Sequence, residues 1–302
     1  MHYHQINTFT DNRVRSLFGL TRAQLGELLA QVLPRLAEYR QKQLASRAGR
    51  KRAPGAGRKR VLAPYQEVLI TLVYLRHNVS HAVCGQLFGV CADVSEDTFS
   101  DVVQVLKQVC PSERYDAEKR WKKGEPSWSP SAEDLLLVDS FETPVPRPST
   151  NEKQKRLYSG KKKRHTLKTQ VTTNVCGEII CIDPGHPGPT NDKTLYEKSG
   201  VEKRFPDAPK QADLGYLGAP NMILPHKRKN RRNVRNELTD EQKEENRRLA
   251  SVRVHVEHAI RRIKGWRIMR GEYRLATGLF PTVAQATVGL VQLARICPQA
   301  SG

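Results

Sequence analysis

The first third of the chain carries apolar residues at the three- and four-residue spacing of amphipathic helices. A first helix is expected within residues 13–39, where Thr21 is a suitable N-cap and the apolar positions from Leu25 to Leu36 fall on one face. A second helix is expected after Pro64, because the apolar residues that follow it again share one face until His77-Asn78. These patterns predict an all-helical region at the start of the chain.

Two shorter helices are expected next, with a tight turn between them. The first runs from Ser80 to Phe88, the turn occupies Gly89 to Val94, and the second helix starts at Ser95. A helix, a turn that contains glycine and a second helix form the outline of a helix-turn-helix, although a plain three-helix bundle has the same spacing. The basic segment immediately before this region favours the DNA-binding interpretation.

After a segment rich in proline and tryptophan, the pattern changes to short apolar runs that are typical of strands. The continuous run from Leu135 to Val138 predicts a buried strand with Asp139 at its C-terminal end. The β-rich segments 164–173 and 178–183 are joined by Asn174-Val175-Cys176-Gly177, which predicts a hairpin. A mixed sheet is therefore expected in this part of the chain.

Helices are also expected among and after these strands. Thr190 and Asn191 are both suitable N-caps for a short helix through Tyr196. From Leu238 onward, apolar residues repeat at helical spacing over several turns as far as Ile263. This last pattern predicts the longest helix of the chain.

These patterns divide the chain into two domains. Residues 1–110 are expected to form a helical DNA-binding region, in which residues 40–60 are a flexible basic arm. Residues 111–130 form a linker, residues 131–290 a mixed-sheet domain, and residues 291–302 a C-terminal tail. The predicted fold class is α+β or α/β, with the all-α region ahead of the sheet.

The net charge of the chain indicates the kind of molecule that the protein binds. The 302 residues include 51 Lys and Arg against 31 Asp and Glu, a net charge of +20 with a pI near 9.9. Basic side chains that contact phosphates release condensed counterions, so this surplus indicates a nucleic acid as partner. The candidate DNA-binding residues are Arg50, Lys51, Arg52, Arg58, Lys59, Arg60, Lys161, Lys162, Lys163, Arg164, Lys227, Arg228, Lys229, Arg253, Arg261 and Lys264.

Other classes of protein find little support in the sequence. No apolar run of 18 residues, secretory leader or lipidation signal is visible, so neither a membrane protein nor a secreted one is expected. The six cysteines lack zinc-site spacing and are expected to be reduced and buried. A cytoplasmic, nucleoid-associated location is predicted.

Three acidic residues stand out by their context. Asp139 and Asp213 each follow an expected strand, and Glu257 lies in the middle of the long helix. Hard divalent cations prefer oxygen ligands, and two such ions can clamp the attacking and leaving oxygens of a phosphodiester. These three are the candidate catalytic and metal-binding residues. Asp192 is an alternative second acid, although its place in a first helical turn also fits a residue stabilised by the helix dipole.

The surroundings of Glu257 allow two interpretations. Arg253, Glu257, Arg261 and Lys264 share one helix face, which is typical of salt bridges on a solvated surface. The alternative is that Glu257 binds a metal ion while the cations contact DNA. The sequence pattern does not decide between them.

Five motifs in order resemble a known family. The motifs are Asp139-Ser140-Phe141-Glu142, Tyr158 to Thr166, Asn191-Asp192, Ala212 to Gly218, and Val256-Glu257-His258. Together they resemble the DDE superfamily endonucleases of bacterial insertion sequences, which are related to Harbinger-type transposases. The resemblance covers residues 15–285, including the helix-turn-helix.

The resemblance implies an RNase H-like catalytic domain that uses two Mg2+ ions, or Mn2+ in their place. It assigns the three acids of the family to Asp139, Asp213 and Glu257. The chain departs from the family pattern at Ala250, where a tyrosine is common, and at Ser140-Phe141, where Gly-Thr is common.

The function that the resemblance implies is that of a DNA transposase. Such a protein binds terminal inverted repeats, cleaves a DNA strand and joins its 3'-OH to target DNA, which requires at least a homodimer on double-stranded DNA. Two alternatives remain at this point: a non-catalytic, sequence-specific regulator derived from a transposase, and an RNase H-like nuclease that acts on RNA or hybrids.

Overall fold

The computed structural model of the protein describes residues 8–46, 59–113, 130–231 and 234–296. Its helices are α1 (Asp11–Phe18), α2 (Arg22–Ala45), α3 (Pro64–His77), α4 (His81–Phe88), α5 (Ala92–Val109), α6 (Asn151–Leu157), α7 (Asp192–Ser199), α8 (Val201–Arg204), α9 (Asp240–Lys264), α10 (Arg267–Arg270) and α11 (Phe280–Ile296). Its strands are β1 (Leu136–Pro144), β2 (Tyr158–Ser159), β3 (Arg164–Asn174), β4 (Ile179–Pro187), β5 (Lys210–Gln211), β6 (Met222–Ile223), β7 (Lys229–Arg231) and β8 (Val234–Asn236).

Internal contacts divide the chain into two units. The helical unit comprises residues 1–111, 265–271 and 282–302, and the sheet unit comprises residues 112–264 and 272–281. The end of the chain therefore groups with the helices of its first 111 residues.

Local capping explains where the helices of the first unit begin. The Thr21 hydroxyl accepts the amide of Gln24 at 3.2 Å, and the Gln24 side chain accepts the amide of Thr21 at 2.9 Å, so the predicted cap is a full capping box. Ser80, the expected first residue of the next helix, is the N-cap of α4. Helix α5 begins at Ala92 rather than at the predicted Ser95. Its N-cap is Cys91, a residue type without capping preference, so the sequence carries no capping signal for this start.

A buried ion-pair network crosses the helical unit. Glu67, whose side chain is 1% exposed, lies 2.7 Å from the Arg40 guanidinium and 3.2 Å from that of Arg60, and both arginines also reach Asp101. The segment 40–60, predicted as a basic arm, is therefore structured at both ends. Helix α2 continues to Ala45 at the first end, and Arg60 at the other end forms ion pairs with Glu67 and Asp101. Residues 47–58 of the arm lie outside the described residues.

The last helix packs closely in the helical unit. A Cβ on Gly289 of α11 would lie 2.2 Å from the carbonyl oxygen of Cys110, so the helix approaches that backbone where only glycine fits. Residues 291–296, predicted to belong to a tail, continue this helix. Their apolar side chains, including the buried Val291 and Leu293, explain the difference.

The sheet unit is built around β1. Strand β3 pairs with β1 and β4 in antiparallel fashion, and β2 pairs with the start of β3, while β5 is parallel to both β1 and β6. The predicted hairpin between β3 and β4 is confirmed. Strand β1 is longer than predicted, so Asp139 lies in its middle and not at its C-terminal end. Its polar continuation pairs with β3, which an apolar run alone does not reveal.

Helices cover the sheet. The predicted long helix is confirmed as α9, and its buried residues Val256, Ala259, Ile260 and Ile263 form one stripe that contacts β1 and β3. Helix α7, capped by Asn191, contributes Tyr196 to a core cluster with alternate residues of β1.

Two smaller predictions can be compared with the described residues. Cys84, Cys110 and Cys181 are buried and reduced, but Cys91 and Cys176 are exposed, because both lie in turns or at a helix end. Among the residues that the structure describes, none of the helices has the length and apolar content needed to span a membrane.

Candidate active site

Asp139 is a partly buried carboxylate in the middle of β1. Its Oδ1 accepts the backbone amide of Ser140 at 2.7 Å. Burial raises the pKa of this carboxyl to about 6, against the lowering effect of the Ser140 amide; Asp213 raises the pKa further, Arg253 lowers it, and Asp192 raises it. Asp139 therefore lies within the electrostatic reach of two other aspartates.

Asp213 lies two residues after β5 and is the N-cap of the short 3-10 helix Leu214–Tyr216. Its Oδ1 accepts the amide of Gly215 at 2.9 Å. A Cβ on Gly215 would lie 2.9 Å from this Oδ1 and also 2.9 Å from Oδ2 of Asp192, so a side chain here would require both carboxylates to shift. The two aspartates therefore lie close together on either side of Gly215.

Asp192 is held by two side chains of the sheet. Its Oδ1 accepts the Ser140 hydroxyl at 2.6 Å and the Lys168 ammonium at 3.2 Å. Lys168 is 7% exposed and also donates to the carbonyl of Thr190 at 2.6 Å. Asp192 is therefore a positioned carboxylate beside Asp139 and Asp213, in addition to its place in the first turn of α7.

Tyr216 marks the point where these three aspartates meet. Its side chain is fully buried, and burial raises the pKa of its phenol well above the usual value. The charges of Asp192, Asp139 and Asp213 raise this pKa further, in that order of effect.

Glu257 reaches the same region from α9. Its carboxylate lies 3.2 Å from the Arg253 guanidinium, and its side chain is 45% exposed. This is the salt bridge that one interpretation of the sequence predicts. Glu257 nevertheless also lines a cleft with Asp139 and Asp192, so the ion pair lies at the edge of the acidic cluster.

The cleft has a volume of about 230 Å3 and both signs of charge on its walls. Its charged residues are Asp139, Glu142, Asp192, Glu257, Lys161, Lys162, Lys168 and Lys264. The Lys264 ammonium lies 5.2 Å from the centre of the Phe141 ring. Burial lowers the pKa of Lys264, and the charge of Lys162 lowers it further, while Asp139 and Glu142 oppose the shift.

The donor set of this cleft suits a hard divalent cation. Carboxylate oxygens are the preferred ligands of such ions, and the mutual repulsion that contributes to the raised pKa of Asp139 would be relieved by a cation. Across residues 8–46, 59–113, 130–231 and 234–296, no three Asp, Glu, His or Cys side chains are arranged to hold an ion as they stand. Glu257 faces Arg253 and Asp213 accepts the amide of Gly215, so an ion held by these two acids together with Asp139 would require both side chains to turn.

The predicted DNA-binding residues fall into distinct environments. Lys161, Lys162 and Lys264 line the cleft. Arg164 forms an exposed ion pair with Glu272 at 3.3 Å. Arg60, a predicted DNA contact, forms ion pairs with Glu67 and Asp101.

Other predicted contacts lie apart from the cleft lining or outside the described residues. Lys59, Lys163, Lys227, Arg228 and Arg261 are exposed. The structure describes the backbone of Lys229 in β7. Arg50, Lys51, Arg52 and Arg58 lie outside the described residues.

Sequence reasoning missed the residues that hold Asp192 in place. Lys168 and Ser140 are polar residues within strands, and a period-two pattern assigns a face but not a partner. The signal available was the alternation of the polar residues Thr166, Lys168 and Gln170 along β3, where all three side chains are buried.

Comparison with protein families agrees with this geometry. A model of DDE superfamily endonucleases matches residues 138–292, and a model of the helix-turn-helix of DDE superfamily endonucleases matches residues 60–112. The chain belongs to the DDE superfamily endonucleases and carries their helix-turn-helix. Members of this superfamily generally use divalent metal ions.

Two curated relatives cover most of the chain. One, from Microchaete diplosiphon, is provisionally named as a transposase for insertion sequence element IS702; it is 32% identical over 233 residues, or 76% of this chain and 79% of the relative. The other, from Streptomyces albus G, is provisionally named as a transposase for insertion sequence element IS112; it is 26% identical over 216 residues, or 71% and 74% of the two chains.

Proposed function

We propose that this protein is a DNA transposase, which binds the terminal inverted repeats of its element and catalyses metal-dependent strand cleavage and strand transfer. The observation that carries the proposal is the acidic cluster in the cleft. Asp139 is partly buried and electrostatically coupled to Asp192 and Asp213, and Glu257 lines the same cleft from α9. Family membership and the two relatives support the same conclusion.

Asp139, Asp213 and Glu257 are the proposed catalytic and metal-binding residues. Two Mg2+ ions, or Mn2+ in their place, would supply Lewis-acid stabilisation of the attacking and leaving oxygens. The protein contributes the scaffold: β1 carries Asp139, the turn after β5 carries Asp213, and α9 brings Glu257 to the cleft. Strand order β4–β3–β1–β5–β6, with three antiparallel strands followed by two parallel ones, supports an RNase H-like fold for this unit.

Cationic side chains in the cleft would hold the DNA backbone. Lys161 and Lys162 extend from the turn before β3, and Lys264 extends from the end of α9. Phosphate contacts of this kind fix the register of the substrate without reading its sequence. Sequence recognition is assigned to the helix-turn-helix formed by α4 and α5, and pairing of two element ends would require at least a homodimer.

The test uses the DNA that flanks the gene. A duplex with the terminal inverted repeat from that flank, together with a target duplex, is incubated with the full chain and Mg2+ or Mn2+. Strand cleavage at the repeat, followed by a joined product with the target, is expected, while a scrambled repeat should be cut far less.

The alternatives give different products. Specific binding without cleavage under any divalent ion would replace the proposal with a non-catalytic regulator. Cleavage of RNA or hybrid strands without joining would indicate a plain nuclease.

A further inference from the structure

A second cavity lies in the sheet unit and shares no lining residue with the acidic cleft. Its volume is about 520 Å3. Arg147, Gln154, Lys155, Tyr158 and His165 line it. Neither the family match nor the acidic cluster assigns it a role.

Two aromatic rings form one wall of this cavity. Tyr158 on β2 is paired with His165 on β3, and their ring centres are 5.5 Å apart at an interplanar angle of 69°. Tyr158 is 45% exposed, so part of its ring is accessible to a ligand. An exposed aromatic face in a cavity is a platform on which a flat ligand can stack.

The surroundings of the rings select an anionic ligand. Residues 147–165 contain eight Lys and Arg and one acid, Glu152. Arg147 and Lys155 are exposed at the cavity, and the described residues provide neither with an ion pair. The Gln154 amide nitrogen donates a hydrogen bond to the carbonyl of Pro148 at 2.8 Å. The amide oxygen of the same side chain can accept a hydrogen bond from a ligand.

The same turn connects this cavity with the acidic cleft. Lys161 and Lys162 line the cleft. Along the chain, Lys161 lies three residues after Tyr158, and His165 lies three residues after Lys162. A DNA strand held at the cleft by these lysines would therefore pass the aromatic wall within a short distance.

We propose that this cavity binds the base of an unpaired nucleotide in the strand that occupies the cleft, an inference that rests on the proposed function. The base would stack on Tyr158, and Arg147 and Lys155 would contact the adjoining phosphates. A base within an intact duplex has both faces covered by its neighbours, so stacking on a side chain requires an unpaired base. The cavity has the volume of a pocket for a small molecule and is too small for a duplex.

The test measures binding in EDTA, where no cleavage occurs. Three probes are compared: a single-stranded oligonucleotide that carries one 2-aminopurine, the same strand with an abasic site at that position, and the same sequence as a full duplex. For the single strand, Tyr158→Ala should weaken affinity about tenfold and reduce the quenching of 2-aminopurine fluorescence. Affinity for the abasic strand and the duplex should change less than about twofold, since only phosphate contacts remain.

Three controls make the result specific. Tyr158→Phe keeps the ring and should keep both affinity and quenching. Lys155→Ala should weaken all three probes alike, because it contacts phosphate. Val175→Ala, at a side chain 42% exposed in the turn between β3 and β4, should change nothing. Unchanged melting temperatures show that the variants are folded.

Equal losses for all three probes with Tyr158→Ala, or no loss at all, overturn the inference. Either result together with normal cleavage of the element end would leave the proposed function intact. Tyr158-dependent quenching in a protein that never cleaves DNA would support the cavity and remove the transposase assignment.

Discussion

At the scale of single residues, the feature with the most direct physical consequence is the raised pKa of Asp139. In the unfolded chain an aspartate titrates near pH 4, whereas burial and neighbouring carboxylates raise the pKa of Asp139 to about 6 in the folded protein. The stability that this residue contributes is therefore fully present below about pH 4 and is lost as the pH rises through about 6.

The Asp139→Asn variant should reveal how much the ionised Asp139 carboxylate destabilises the folded protein at high pH. In metal-free protein we expect it to raise the free energy of unfolding by roughly 1–3 kcal/mol at pH 8 and to leave it nearly unchanged at pH 4. Urea denaturation in EDTA at the two pH values measures the difference. A control at the exposed Asp207, changed to Asn, should show no such growth with pH. An Asp139→Asn variant that is less stable than wild type at pH 8 would contradict the electrostatic account.

The residues of the site also show how far sequence reasoning extends. Asp139, Asp213 and Glu257 could be selected by their position in motifs, and the structure brings Asp139 and Glu257 to one cleft with Asp213 nearby. The bonds from Ser140 and Lys168 to Asp192 could not be predicted, because they join residues that are 52 and 24 positions apart. Such contacts depend on strand register, which the spacing of apolar residues does not fix uniquely.

At the scale of secondary-structure elements, the ion pairs of Glu67 connect α2, α3 and α5. A buried charge that loses its partners is costly, whereas an exposed ion pair contributes little. Glu67→Ala leaves Arg40 without its closest acid and should lower the free energy of unfolding of the helical unit by about 3 kcal/mol. Chemical denaturation followed by circular dichroism measures this change.

The matched control is Glu38→Ala in α2. Glu38 pairs with Arg35 at 3.0 Å, but both side chains are more than half exposed. Its loss should cost less than about 1 kcal/mol. Equal effects of the two substitutions would show that the Glu67 network does not stabilise the unit.

Glycines within helices give a second pair of matched substitutions. A Cβ on Gly289 in α11 would meet the Cys110 backbone at 2.2 Å, whereas a Cβ on Gly26 in α2 meets no atom within 4 Å. We expect Gly289→Ala to destabilise the helical unit by about 1–3 kcal/mol through the collision. Gly26→Ala should stabilise it by up to about 1 kcal/mol, because alanine favours the helical backbone. Thermal melting of both variants checks the signs, and a stabilising Gly289→Ala would exclude close packing of α11 on Cys110.

The positions of secondary-structure elements along the chain were predicted better than the surfaces on which these elements pack. The capping signal at Thr21 placed the start of α2 correctly, and Asn191, one of two candidate caps, is the N-cap of α7, because caps are local hydrogen bonds between near neighbours. The start of α5 was wrong by three residues, since Cys91 gives no such signal. The assignment of α11 to the helical unit was missed because periodicity identifies a buried face and not the surface that covers it.

At the scale of the whole molecule, the proposed function assigns the net charge of +20 and the acidic cluster to different steps of one activity. In that proposal the basic surplus attracts DNA of any sequence, and the acids would need a divalent cation before a phosphodiester could approach them. Binding to DNA and chemistry on DNA should therefore separate in variants of the acids.

The most direct test of the account is the divalent-ion dependence of strand cleavage in five variants of the full chain. Asp139→Asn, Asp213→Asn and Glu257→Gln should each abolish Mg2+- and Mn2+-dependent cleavage of the inverted-repeat duplex and leave its affinity within about threefold of wild type, since phosphate contacts are retained. Glu197→Gln, a control at a surface acid of α7, should cleave like wild type. Cleavage by Asp213→Asn together with loss of cleavage in an Asp192→Asn variant would transfer the second acid to Asp192. Full cleavage by Asp139→Asn or Glu257→Gln would contradict the assignment of the active site.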